Sequence, residues 1–210
     1  MQASLPPIVH VVDDDSSVRS ALGILLQACG FRVFTYESGA HFFQADLPAE
    51  VSCILLDVNM PGLSGLEVQE FLNKRQCPVP VIFLTAYGDI SMSVRAIKAG
   101  AEDFLSKPVQ KEDLLKAVNA AHQRYEEAHQ SRVQLEELRY RYSLLTEREL
   151  EVFHLVVRGK LNKQIAYELG NSERTIKAQR SSVMEKMQVE TLAELVLRAT
   201  QLGVFDMDKT

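Results

Sequence analysis

The chain has 210 residues, 46% hydrophobic and 24% charged, with a net charge of −5, enough apolar material to bury a core in one or two ordinary domains. Met1 to Pro7 holds no apolar leader segment, and no run of about eighteen apolar residues occurs, so a signal peptide and a membrane-spanning helix are excluded and a soluble, cytoplasmic protein is expected. Cys29, Cys53 and Cys77 are odd in number, lack metal-ligand spacing and sit inside or beside apolar runs, which favours buried free thiols in a reducing compartment over a disulfide framework.

Ile8 to Val12 opens the chain's order with a nearly unbroken apolar run, the pattern of a strand covered on both faces. Ser16 to Cys29 then lengthens its period and stops at Gly30, as a crossover helix does. A shorter strand is expected at about Arg32 to Tyr36 and a buried one at Val51 to Leu56. Gly65 to Asn73, carrying Leu66, Val68 and Leu72, reads as the next helix, and Val79 to Leu84 as the next buried strand. Asp89 to Ala99, ending at Gly100, is a further helix, and about Glu102 to Leu105 a last short strand. This five-fold β/α alternation implies a doubly wound, five-stranded parallel sheet whose ligands bind beyond the carboxyl ends of its strands.

From Lys111 to about Arg139 there is no glycine or proline, and Leu114, Val118, Ala121, Tyr125, Ala128 and Leu135 recur at steps of four and three. One long linker helix is expected, with Arg132 and Arg139 at seam positions weighing against a coiled coil. The remainder is helical. Thr146 and Glu149 form a capping box with Leu145 and Leu150 flanking it, so a helix should run from about Glu147 to Arg158 and stop at Gly159. A second follows Asn162 and ends at Gly170, a third follows Ser172 and reaches Met187, and a fourth covers about Thr191 to Leu202, giving a four-helix bundle. The expected domains are 1–122, a linker 123–142, and 143–210.

Asp13, Asp14 and Asp15 follow directly on the first strand, and Asp57 follows on the third. Parallel strand ends converge, and carboxylates gathered there repel one another unless a hard, oxygen-seeking dication such as Mg²⁺ joins them. Thr85 and Lys107 lie at two further strand ends. A hydroxyl, an ammonium and Mg²⁺ around one carboxylate make a site for phosphoryl transfer with that carboxylate as nucleophile. Taken singly, these residues are ordinary helix caps and solvated loop ends; Asp15 before Ser16 reads as such a cap.

The runs V-V-D-D-D, L-L-D-V-N-M-P-G-L-S-G, F-L-T-A-Y-G and A-G-A-E-D-F-L-S-K-P resemble the receiver domain of two-component response regulators across nearly all of residues 8 to 122. The resemblance implies that Asp57 is the phosphate acceptor, that Asp13, Asp14, Asp57 and the carbonyl of Asn59 hold Mg²⁺, and that a sensor histidine kinase is the donor. It also implies that Thr85 and Lys107 engage the new phosphoryl oxygens, that Phe104 is an aromatic switch, and that Lys107-Pro108 is cis. Phosphorylation would then bias the surface formed by the helix at 89–99, the last strand and the helix after it. Haloacid-dehalogenase phosphatases share a strand-end nucleophilic aspartate but need a second Asp two residues on. Here that place is Asn59, so we expect a held phosphate and no phosphatase enzyme.

The overall negative charge looks wrong for a nucleic-acid binder until it is divided. Residues 160 to 180 hold Lys160, Lys163, Arg174, Lys177 and Arg180 against Glu168 and Glu173, a local balance of +3. On a helical wheel Ile176, Val183 and Met187 form one stripe, with Arg174, Lys177, Ala178 and Ser181 on roughly the opposite side. Such a helix can enter the major groove or remain a solvated face of a protein-docking bundle. The runs L-T-E-R-E-L-E-V, R-G-K-L-N-K-Q-I-A-Y-E-L, S-E-R-T-I-K and V-M-E-K-M resemble the LuxR-type helix-turn-helix of the NarL and FixJ family, within it the FixJ, StyR and TodT type of regulator. That implies base reading by Lys177, Ala178 and Ser181, and phosphate contacts from Lys163, Thr175 and Arg180. Ser181 stands where several relatives are basic, and Gln179 replaces a common His. The resemblance further implies a homodimer when phosphorylated, promoter DNA and RNA polymerase as partners, activation of transcription, and control of genes for aromatic-hydrocarbon breakdown.

Overall fold

A computed structural model of the chain describes residues 6–45, 51–75, 77, 79–86 and 101–205. The chain divides into two compact units, residues 1–128 and 129–210. In the first, a five-stranded parallel sheet has the order β2-β1-β3-β4-β5, from β1 (Ile8–Val12), β2 (Arg32–Tyr36), β3 (Val51–Asp57), β4 (Val81–Ala86) and β5 (Asp103–Lys107). The helices are α1 (Ser16–Ala28), α2 (Gly39–Gln44), α3 (Gly65–Lys74) and the start of α4 (Lys111–Ser143).

The unbroken apolar runs have a simple cause, since successive side chains of a strand point to opposite faces and both faces are covered. Val9, Val11, Cys53, Leu55, Ile82 and Leu84 pack with Leu22 and Leu26 of α1 and with Leu114, Ala117, Val118 and Ala121 of α4. The alternate residues Val12, Ile54, Leu56, Val81 and Phe83 pack with Phe42 of α2 and with Val68 and Leu72 of α3. Each buried Val, Leu, Ile or Phe among these contributes about 1.5 to 3 kcal/mol before entropy is charged against it.

Several expectations shift. The six-residue α2, capped by Ser38, was not expected from the sequence, because it is too short to display a helical period. β4 begins after Pro80, two residues later than expected, because proline has no N–H to give the ladder. Cys53 is buried, with its thiol pushed up to about 12 by burial, but Cys29 is exposed at the end of α1 and Cys77 is half-buried. The helix expected at 89–99 lies outside the described residues. Among the described residues, no helix is long and apolar enough to cross a membrane.

The second unit gathers α5 (Glu147–Val157), α6 (Asn162–Leu169), α7 (Glu173–Lys186) and α8 (Leu192–Gln201) around Val152, Phe153, Ile165, Ile176, Val183, Met187 and Leu195. Leu138 and Tyr142, from the last turns of α4, join that core, where the Tyr142 ring meets Phe153 edge-on at 5.4 Å and its hydroxyl lies 3.2 Å from His154 Nε2. The long helix thus contributes its first turns to one core and its last to the other, and it runs four residues beyond the expected end at Arg139.

Candidate functional site

Parallel strands deliver their carboxyl ends to one edge of the sheet, which is where the acids collect. Asp13, directly after β1, is fully buried, Asp57 closes β3 and is also buried, and Asp14 is exposed. One ligand oxygen from each lies within 4.8 Å of the others. The turn that carries Asp13 is held by its own backbone: its N–H donates to Tyr36 O at 3.1 Å, and the Asp15 N–H donates to Asp13 Oδ1 at 2.9 Å. The Arg19 guanidinium donates to the Asp13 carbonyl at 2.7 Å. Asp15 itself caps α1, as expected, accepting from the Ser17 and Val18 N–H groups.

Lys107, at the end of β5, stands 2.6 Å from Asp13 Oδ2 and 3.1 Å from Asp57 Oδ1. Burial raises the Asp57 carboxyl above its ordinary range, against the opposing pull of Lys107 and of the Asn59 N–H. Burial works to lower the Lys107 ammonium, but its bonds to Asp13 and Asp57 outweigh that and raise it. Thr85 is half-buried on β4, opposite Ser106, while Phe104 pairs with Phe83 in the ladder and is 39% exposed as a residue. Lys107-Pro108 is cis. Behind the pocket, α3 presses onto β3 through Gly65, where an added Cβ would lie 2.3 Å from the Asp57 carbonyl oxygen.

In the second unit α7 is capped by Ser172, whose Oγ accepts from the Thr175 N–H at 3.1 Å. Ile176, Val183 and Met187 are fully buried, and Arg174, Thr175, Lys177, Ala178 and Ser181 are exposed. Lys163 is exposed on α6. Arg180 is half-buried and donates to Asn162 Oδ1 at 3.2 Å, tying α6 to α7. The exposed face of α7 thus lies opposite a buried edge that is anchored in the core of the second unit.

Two family models match: a response regulator receiver domain over residues 9–119, and the bacterial regulatory proteins of the luxR family over residues 143–199. The chain is 42% identical to nodulation protein W of Bradyrhizobium diazoefficiens, over 97% of this chain and 89% of that one. It is 42% identical to the transcriptional regulatory protein FixJ of Azorhizobium caulinodans, over 99% and 98% of the two chains. The structure of the response regulator StyR matches 93% of this chain and 99% of its own, at 44% identity and a TM-score of 0.86. The chain belongs to the two-component response regulators with a LuxR-type output domain. It is a phosphorylation-controlled transcription regulator, as the receiver and helix-turn-helix resemblances imply.

Mg²⁺ fits the pocket of this response regulator. The donors are hard carboxylate oxygens, and the Lys107 ammonium at 2.6 Å takes only one of the lone-pair directions of the buried Asp13 Oδ2, so the other can serve a cation. Three features of the regulator escaped sequence reading. The Arg19 grip on Asp13 has no signal beyond an arginine in the first turns of a helix. Asn162 was expected to cap α6; instead Leu161 is the cap residue, its N–H donating to Gln164 Oε1 at 2.8 Å, and Asn162 turns to Arg180. Finally, the buried Glu149 of the capping box also accepts from Ser182 at 2.6 Å and Lys186 at 2.6 Å, both on α7. Lys186 in turn reaches the carbonyl of Leu144.

Proposed function

We propose that Asp57 takes a phosphoryl group from a phosphohistidine of a sensor histidine kinase. A carboxylate oxygen of Asp57 attacks phosphorus in line, the P–N bond breaks, and its electron pair returns to the imidazole, giving an acyl phosphate. Asp13, Asp14, Asp57 and the Asn59 carbonyl would hold Mg²⁺, which would supply charge stabilisation to the transferring oxygens. Lys107 is already an ion-pair partner of Asp57, and it moves its contact to a phosphoryl oxygen as one forms. Thr85 donates its hydroxyl to another, and the Phe104 ring turns inward to fill the space that Thr85 vacates. The observation that carries this reading is the Lys107 ammonium shared by the two buried carboxylates Asp13 and Asp57, with Asp14 beside them at the same strand ends.

In this reading the domains are a receiver at 1–122, a linker at 123–142 and a DNA-binding domain at 143–210. Lys177, Ala178 and Ser181 read base edges from the exposed face of α7, with Arg174 on the same face. Lys163, Thr175 and Arg180 contact phosphates. Phosphorylation favours a homodimer on paired half-sites and recruitment of RNA polymerase for activation.

The deciding experiment treats wild type and Asp57→Asn with acetyl phosphate and Mg²⁺, then measures promoter retention and molecular mass. Wild type should gain a phosphoryl adduct, mass and affinity, and the variant none of these. Equal behaviour of the two would sink the switch. Lys177→Ala should lose about 1 to 3 kcal/mol of binding and relax sequence preference, whereas a uniform loss with a shallower salt slope would make it a phosphate contact. If the second unit docks a protein instead, retention on duplex DNA will be absent at low salt. Footprinting on the neighbouring genomic region reads whether the controlled genes are those of aromatic-hydrocarbon breakdown.

A further inference from the structure

We infer that Arg19 is a positioning residue for the divalent cation, acting through the turn that carries Asp13 and Asp14. This rests on the reading of the acidic pocket given above. Arg19 lies in the second turn of α1, and its guanidinium donates to the carbonyl oxygen of Asp13 at 2.7 Å from a half-buried position. An arginine this near three aspartates would ordinarily pair with a carboxylate, yet here the contact goes to backbone. That carbonyl belongs to the planar Asp13–Asp14 peptide, so holding the oxygen holds the plane and with it the Cα of Asp14.

The remaining restraints on the turn all act on Asp13 or Asp15: the Asp13 N–H is tied to Tyr36 O, and Asp13 Oδ1 is tied to the Asp15 N–H. Among the described residues nothing fixes the exposed Asp14 carboxylate directly, so the restraint on it is the backbone position from which its side chain starts. Without a restraint there, mutual repulsion of Asp13, Asp14 and Asp57 would swing the mobile member outward. Arg19 opposes that swing from behind the turn.

Two effects of Arg19 on the cation have opposite signs, which makes the inference testable. Its bare charge repels a dication and its grip preorganises the ligands. Solvent screening at a half-exposed guanidinium weakens the first and leaves the second intact. Arg19→Met should therefore weaken Mg²⁺ binding about fivefold or more, read by calorimetric titration of the full chain. Arg19→Lys keeps the charge but loses the rigid fork, and should fall between the two. The melting temperature in EDTA should move little. The rate of labelling by acetyl phosphate should drop in Arg19→Met at low Mg²⁺ and return to within about twofold of wild type at saturation.

Unchanged or tighter Mg²⁺ binding in Arg19→Met overturns the inference, as does a labelling deficit that persists at saturating Mg²⁺. If Arg19→Met fails to fold, Arg19→Lys decides: a folded lysine variant with wild-type affinity overturns the role, and weakened affinity supports it. Absence of Mg²⁺ binding by wild type itself would instead overturn the pocket reading on which the inference stands.

Discussion

Asp57 in the first unit and Glu149 in the second are both carboxylates buried beside a lysine, Lys107 at 3.1 Å and Lys186 at 2.6 Å. Their surroundings leave them in opposite conditions. Burial works to raise Glu149, but bonds from Lys186, Ser182 and Thr146 outweigh it and the carboxyl titrates at about 2. Asp57 shares its lysine with Asp13, and burial wins, so its carboxyl lies above the ordinary range. A fully partnered buried charge braces helices, whereas a partly partnered one stores unfavourable free energy that a ligand can release. The receiver leaves Asp57 with a shared ammonium, where Glu149 has a lysine of its own.

The largest expected effect tests the brace. Glu149→Ala removes a capping box and strands Lys186 and Ser182, and should destabilise the chain by about 3 kcal/mol in urea unfolding. A loss under about 1 kcal/mol would erase the contrast with Asp57. Gly65→Ala tests the receiver side, because its methyl must displace the Asp57 backbone or α3. We expect a loss of about 2 kcal/mol together with slower labelling by acetyl phosphate.

Acid should separate the two units. His10 is buried among Phe34, Tyr36 and Phe42, with Nδ1 2.8 Å from the Tyr36 hydroxyl, and burial lowers it to about 4. The unfolded chain therefore binds the proton more tightly, and stability is lost as pH falls from about 6.5 towards 4, amounting to about 2 kcal/mol at pH 5. Glu149 is depressed, so its contribution is complete above about 4.5 and is lost between there and about 2. Thermal unfolding from pH 7 to 4.5 should show the receiver weakening first, and His10→Phe should flatten that slope. An unchanged slope would remove histidine from the explanation.

The smallest effect is the most diagnostic because its sign reverses. Asp57→Asn, measured in EDTA, should stabilise by about 1 kcal/mol by removing a repelled charge, while the equivalent Glu149→Gln destabilises. The same sign at both positions would show that the two carboxylates do not differ in kind.

Much of this was legible from residue patterns. The doubly wound sheet followed from apolar runs at β1, β3 and β4, and the acids were located because such strands end together. The caps at Asp15, Ser172 and Thr146 were legible because capping is a contact within three residues. What stayed hidden was side-chain reach across the fold. Glu149 meets partners 33 and 37 residues away, and neither spacing nor composition marks that pairing. Arg19 was hidden for another reason, since its partner is a carbonyl, which every residue carries.

The count of charges at the strand ends has its own consequence. The three carboxylates and the Lys107 ammonium, which pairs with two of them, sum to two negative charges, equal and opposite to a single divalent ion. Electroneutrality is then reached by one ion of that valence, whereas a monovalent ion leaves the cluster half compensated. In the reading proposed above, a divalent ion is thereby favoured over the abundant alkali cations of a cell by valence alone.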